Sequence, residues 1–257
     1  MSEVESQILP MSPKLVLKEG AFIISDAHYS QERPELLSFF QAIADGRENP
    51  TQLVLMGDIF DALFGLIPYT YQQNQKMIDL LKLIAQKIEV IYLEGNHDFN
   101  LSYVFDAIKI FPITAQPVLS EYQGKKIYLA HGDFYIDAKR TSYPYKLYTA
   151  FIRNKYILRV LRVIDNLTGH AILKSVDKHL SMKDDCKEFE GFASFIEKRL
   201  GDNYICDYFV EGHYHQNKSL KFPHFTYINL GAFACNQRYF IVKLSNEATL
   251  FEEKIFS

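Results

Sequence analysis

The stretch Leu53-Val54-Leu55-Met56-Gly57-Asp58-Ile59-Phe60-Asp61 decides how the rest of the chain is read. Four apolar residues read as a buried strand. The glycine allows a sharp exit, and two carboxylates follow three residues apart. This places Asp58 where a central strand of an α/β sheet ends, which is where such sheets put their ligands. Alone the pattern is weak, because aspartate is common in turns. Its weight comes from four other stretches of the same form, each an apolar run that stops at a group of Asp, His or Asn.

Upstream, Ala21-Phe22-Ile23-Ile24 reads as a strand that delivers Asp26 and His28. These lie two residues apart and so on one face. Residues 35–44 have helical spacing through Leu36, Phe39, Phe40 and Ile43. Downstream, residues 65–71 read as an aromatic loop interrupted by Pro68, and residues 75–87 as an amphipathic helix. Val90-Ile91-Tyr92-Leu93 is a strand ending at Glu94-Gly95-Asn96-His97-Asp98. Residues 117–130 read as a hairpin turning at Gln123-Gly124, and its second arm delivers His131-Gly132-Asp133. Residues 188–199 have helical spacing, and the strand at 205–210 stops at Glu211-Gly212-His213-Tyr214-His215. Residues 225–230, 239–244 and 249–252 read as strands of a second sheet that closes the fold. Each polar group also has an ordinary reading, as a turn aspartate or a structural histidine. Five of them at five strand ends are hard to produce by chance.

A chain of 257 residues, 48% apolar, has room for one large α/β domain with a sizeable core. Its net charge of −3 makes no global case for nucleic-acid binding. Cys186, Cys206 and Cys235 form no C-x-x-C pair, and an odd, scattered set argues against a disulfide framework and suits a reducing compartment. Residues 1–13 are polar and read as a loose arm without the apolar core of a signal peptide. No apolar run nears the roughly eighteen residues needed to span a bilayer. A cytoplasmic protein is expected, with attachment to a membrane surface left open. The expected organisation is a single domain, 1–257, with a helical insertion at 137–185. Residues 139–183 hold ten Lys or Arg against two acids, Asp165 and Asp177, interleaved with aromatic and aliphatic residues. Residues 157–167 read as a helix with Arg159 and Arg162 beside an apolar stripe. The region reads as a cap over the catalytic face. The plainer alternative is a solvated helix pair with Lys and Arg lying over core contacts.

The collected side chains are Asp26, His28, Asp58, Asn96, His131, His213 and His215. Seven oxygen and nitrogen donors with no thiolate suit two divalent ions such as manganese, iron or zinc. A carboxylate between the ions offsets their repulsion, and Asp58 is best placed for this. Two ions about 3.5–4 Å apart share a water and lower its pKa, making a bridging hydroxide nucleophile at neutral pH. Open coordination positions then hold phosphate oxygens. Such a site hydrolyses phosphate esters or anhydrides.

Asp26-x-His28, Gly57-Asp58-x-x-Asp61, Gly95-Asn96-His97-Asp98, His131 and Gly212-His213-x-His215 together resemble the motif set of the calcineurin-like metallophosphoesterases, in order and spacing. The resemblance covers residues 20–231. It implies a four-layer αββα sandwich, with one ion on Asp26, His28, Asp58 and His215 and a second on Asp58, Asn96, His131 and His213. It also implies that His97 is not a ligand but contacts the phosphoryl group or protonates the leaving oxygen, oriented by Asp61. Asn96 and His213 are expected to face the substrate as well. Within that family, three features are similar to the UDP-2,3-diacylglucosamine hydrolases of lipid A synthesis. These are Gly57-Asp58-Ile59-Phe60-Asp61-Ala62, Asn96-His97-Asp98-Phe99, and the arm 124–133 followed by a basic helical insertion. His97 stands where their best-known form has Arg, and Asp61 where it has Glu, so the chain reads as a divergent branch. The resemblance implies hydrolysis of the pyrophosphate of UDP-2,3-diacylglucosamine to UMP and the acylated sugar 1-phosphate, with two Mn2+ (iron or zinc as alternatives). The expected partners are a nucleotide-lipid substrate and the inner membrane surface, with neither nucleic acid nor an obligate protein partner. Two other readings stay open: a phosphodiesterase or nuclease acting on nucleotides, and an inactive scaffold on the same fold.

Overall fold

In the computed structural model, which describes residues 15–133, 143–181, 186–201, 204–243 and 250–257, the chain opens with β1 (Leu15–Val16), β2 (Phe22–Ile24), α1 (Glu35–Ala44) and β3 (Gln52–Leu55). It continues through β4 (Leu63–Phe64), α2 (Pro68–Ala85), β5 (Glu89–Leu93), β6 (Asp98–Phe99) and β7 (Lys109–Phe111). The hairpin β8 (Val118–Tyr122) and β9 (Lys125–Ala130) leads to three successive helices, α3 (Tyr143–Ile152), α4 (Lys155–Leu167) and α5 (Ala171–Ser181). After these come α6 (Phe192–Leu200), β10 (Tyr208–Glu211), β11 (Lys218–Lys221), β12 (Thr226–Asn229), α7 (Phe233–Asn236), β13 (Arg238–Val242) and β14 (Phe251–Ile255).

Two six-stranded sheets form, in the orders β14-β13-β2-β3-β5-β7 and β1-β8-β9-β10-β12-β11. The two-residue side-chain period sorts the apolar residues. In the first sheet Phe22, Ile24, Leu53, Leu55, Val90 and Tyr92 face α1 and α2. Ile23, Val54, Met56, Ile91 and Leu93 face the second sheet, where they meet Val118, Ile127, Leu129 and Val210. The outer face of the second sheet carries Ala130, Phe209 and Tyr227 against Ile196 and Leu200 of α6. The result is the expected αββα sandwich.

Register brings the polar groups together. In the parallel run β2-β3-β5, Leu55 lies between Ile24 and Tyr92, so all three strands end on one rim. In the other sheet Ala130 pairs with Glu211, so His131 and Gly212 leave side by side.

Several expectations are corrected. The last strands do not form one sheet. β12 pairs with β10 in parallel, whereas β13 runs antiparallel to β2 and joins the first sheet. Residues 244 and 249, expected at strand ends, lie outside the described residues, as do 1–14 and residues 137–142 and 182–185 of the expected insertion. The aromatic loop at 65–71 is partly helix, because α2 starts at Pro68, a residue suited to the first helical position, where no backbone N–H is needed. The helix expected from 188 begins at Phe192, after Gly191 in a left-handed conformation. Cys186 and Cys235 form a disulfide, with Cα atoms 5.6 Å apart, against the expectation of none. The two are 49 residues apart in sequence, and spacing alone could not show that the segment after α5 runs past α7.

Candidate metal centre

Asp26, His28, Asp58, His213 and His215 all have positive φ, between 46° and 61°. Each strand is followed by a backbone reversal that turns its side chain back over the rim. The space is tight enough to require glycine at neighbouring positions. A Cβ on Gly95 would overlap the Asp58 carboxylate, and one on Gly212 would overlap Ser25 and Asp26.

The donor atoms converge in three groups, each within 4.8 Å: Asp26, His28 and His215; Asp58, His131 and His213; and His28, Asp58 and His97. His131 Nδ1 faces the Met56 carbonyl at 2.8 Å and so carries the proton in the neutral ring. Its Nε2 then presents a lone pair. That lone pair meets Asp58 Oδ2 at 3.3 Å, Asn96 Oδ1 at 3.4 Å and His213 Nδ1 at 3.2 Å. Four potential electron-pair donors around one point are what a cation satisfies, and the oxygen and nitrogen set suits a divalent one. On the other side His215 Nε2 lies 2.9 Å from Asp26 Oδ1.

The electrostatics follow from burial and crowding. Burial opposes ionisation of Asp26, but the charge and hydrogen bond of His215 outweigh it and lower its pKa to about 2. Burial also opposes ionisation of Asp58, and His131, His97 and His28 overcome this to hold it well below the ordinary carboxylate range. Burial opposes a charge on His131, but Asp58 outweighs it and raises the ring's pKa well above the ordinary imidazole range, so with no cation between the donors His131 is protonated. Its neutral form, with the lone pair on Nε2, is the one that would face a metal ion. His213 is pushed down to about 4, by burial and then by repulsion from the protonated His131.

His97 Nδ1 lies 2.8 Å from the main-chain carbonyl of Asp61, whereas the Asp61 carboxylate approaches His28 Nδ1 at 3.3 Å. The geometry therefore differs from the expected carboxylate–imidazole pair: Nδ1 of His97 is held by backbone, and the Asp61 carboxylate addresses a neighbouring imidazole.

Two supporting groups escaped the sequence reading. Asp98 accepts hydrogen bonds from the backbone N–H of Asp58 at 3.0 Å, Ile59 at 2.6 Å and Gly95 at 2.9 Å, and from Tyr92 Oη at 2.5 Å. It ties the end of β3 to the end of β5. Burial and then the Asp58 charge raise its pKa to about 7. Arg199 of α6 donates to Gly132 O and Tyr214 Oη, each at 2.7 Å, and pairs with the buried Glu211. It thereby joins the segment carrying His131 to the one carrying His213 and His215. Asp98 stood within a quoted motif. Arg199 lay in a helix whose apolar face drew the attention.

Beside the rim, an apolar cavity of about 620 Å³ opens on Asn96, His97 and His213. Phe64 and Phe99 form its wall on the sandwich side, and Leu158, Leu161 and Leu173 of α4 and α5 face them.

Parallel strand ends in an αββα sandwich, carrying an oxygen–nitrogen donor set for two cations, define a metal-dependent phosphoesterase. A family model described as calcineurin-like phosphoesterase matches residues 21–217, and the chain belongs to that family. It is 26% identical over 155 residues to a UDP-2,3-diacylglucosamine hydrolase of Pseudomonas fluorescens, a match covering 60% of this chain and 61% of that protein. It is 31% identical over 113 residues to one of Pseudomonas putida, covering 43% and 47%. The chain thus spans about three fifths or less of the length of these relatives. Among solved structures it is similar to Yfce, a phosphoesterase from E. coli, with a TM-score of 0.44, 12% identity and coverage of 92% of this chain and 99% of that one.

Proposed function

We propose that this phosphoesterase hydrolyses the pyrophosphate of UDP-2,3-diacylglucosamine, with water attacking the α-phosphorus and UMP and 2,3-diacylglucosamine 1-phosphate released. The observation that carries the reading is the apolar cavity beside the donor cluster. Its volume lies within the range of small-molecule sites, and its walls suit acyl chains better than a nucleic acid backbone. The kinship to hydrolases of that name supports the same substrate.

In this reading α3, α4 and α5 are the cap. Asp26, His28, Asp58 and His215 would hold one ion and Asp58, Asn96, His131 and His213 the other, and manganese is the first metal to test. Bound there, the two ions would supply positive charge for the phosphate oxygens and lower the pKa of a bound water. Asn96, His97 and His213 border both the cavity and the cluster, so they contact the phosphoryl group. His97, fixed through Nδ1, uses its other ring nitrogen to protonate the leaving oxygen. Asp61 orients His28. Along α4, Tyr156, Val163 and Leu167 are exposed on one face, flanked by exposed Lys155, Arg159 and Arg162. This face rests on an anionic lipid surface, where each basic residue contributes about 1 kcal/mol. Among the described residues no helix is long and apolar enough to cross a membrane.

The test is turnover by the purified, manganese-loaded protein, read as UMP released from the two UDP compounds and as p-nitrophenol released from the diester. UDP-2,3-diacylglucosamine should be cleaved with higher kcat/KM than either UDP-N-acetylglucosamine or bis(p-nitrophenyl) phosphate. Equal turnover of the chain-free compounds, or a preference for single-stranded nucleic acid, would overturn the substrate and leave the reaction class standing.

A further inference from the structure

We infer that Arg153 is a positioning residue: it pins the helical insertion to the metal-bearing rim, and so determines whether the apolar cavity is assembled beside the donor cluster. The consequence for substrate use rests on the reading of that cavity as the acyl-chain site. The pin itself does not.

Arg153 occupies the two-residue link between α3 and α4, so one side chain acts on both helices. The described basic residues Lys155, Arg159, Arg162 and Lys174 of the insertion are exposed, but the Arg153 side chain is only 12% exposed and points inward. Its Nη2 donates to Gly95 O at 2.8 Å and to Asp133 Oδ2 at 2.9 Å. The guanidinium carbon stands 5.6 Å from the centre of the Phe99 ring, and Asn100 Nδ2 donates to the Arg153 carbonyl at 3.1 Å. A single residue thus holds the segment after β5, which carries Asn96 and His97, and the segment after β9, which carries His131. Immediately beyond it, Asn154 caps α4 by accepting from the N–H of Tyr156 at 2.9 Å. Ile152 on one side and Ile157 and Leu158 on the other line the cavity.

The chemistry requires arginine. A flat guanidinium can donate to two acceptors and lie against an aromatic ring at once, whereas a lysine ammonium can keep the charge pairing but not the stacking. Without either, the Asp133 carboxylate, whose side chain has no exposed surface, is left buried and unpaired, so the contact is strongly favoured. The rim does not depend on Arg153 to the same degree. Asp98 holds Gly95 N and Asp58 N from the opposite side. Loss of the pin should therefore free the insertion while leaving the donor cluster in place.

Hydrogen exchange on the full-length, manganese-loaded protein tests this, with Arg153→Met and Arg153→Lys beside the wild type. In R153M, amide protection across α4 and α5 should fall by about tenfold or more while that of β3 and β5 is unchanged. R153K should lie between the two, and it alone decides if R153M does not fold. Metal content should stay at two ions per chain. Turnover of bis(p-nitrophenyl) phosphate should hold within about threefold while kcat/KM for UDP-2,3-diacylglucosamine falls by about tenfold or more, the pattern of lost remote binding. Unchanged protection of α4 and α5, or parallel loss of metal and small-diester turnover, would overturn the inference. If the wild type does not cleave the lipid, the substrate reading fails and the exchange comparison still decides the pin.

Discussion

His215 has a left-handed backbone, as do Asp26, His28, Asp58 and His213. A residue with a Cβ pays roughly 1–2 kcal/mol for that conformation, and glycine does not. Ligand identity and backbone ease therefore conflict at these positions, as they do at many functional sites. His215→Gly and His215→Ala should both lose metal affinity, but in metal-free protein the glycine variant should be the more stable by about 1 kcal/mol in urea denaturation. Equal midpoints would show that the conformation is unstrained. His97→Gln should lower kcat by about 10²–10⁴-fold with metal content unchanged, if the ring acts as the acid. Loss of metal in that variant would instead make His97 a ligand, a role its place in a three-residue donor group with His28 and Asp58 makes worth testing. At this scale the donor types were legible in the sequence. The partner of the His97 ring was not, because a main-chain carbonyl leaves no mark in the choice of side chain.

At the scale of elements, continuous apolar runs located β2, β3 and β5 closely, since each strand buries both faces, one toward helices and one toward the other sheet. The hairpin was legible because Gln123 and Gly124 both take the positive φ of a tight turn. Sheet membership of β12 and β13 was not, because pairing over long sequence separations depends on neighbours that a local pattern cannot name. Asp98 shows the same limit: its backbone partner Asp58 lies 40 residues away. Asp98→Asn keeps the shape but replaces a two-oxygen acceptor by one oxygen and a donor. It should cost about 1–3 kcal/mol in thermal or urea unfolding and weaken manganese binding in isothermal titration. Unaltered stability and affinity would show that the two strand ends hold their spacing without it.

For the molecule as a whole, the basic excess of residues 139–183 marked an unusual region but gave no hint that Arg153 turns inward while Arg159 and Arg162 face out. Long-range packing, not composition, separates them. The proposed lipid contact of the exposed face of α4 is testable with vesicles. Val163→Glu with Leu167→Glu should reduce co-sedimentation with anionic vesicles several-fold, by removing apolar contact and adding like charge, while leaving turnover of bis(p-nitrophenyl) phosphate unaltered. Undiminished sedimentation, or none by the unaltered protein, would overturn the assignment of lipid contact to this face.

The cavity has one wall from the sandwich and one from α3, α4 and α5, so it exists only while the two are closed on each other. Occupancy and closure are then thermodynamically reciprocal: any amphiphile that fills the space must tighten the closed form by the same factor with which closure favours its binding. Long-chain detergents should raise the melting temperature as their concentration rises, and lipid carried from the host cell should survive purification.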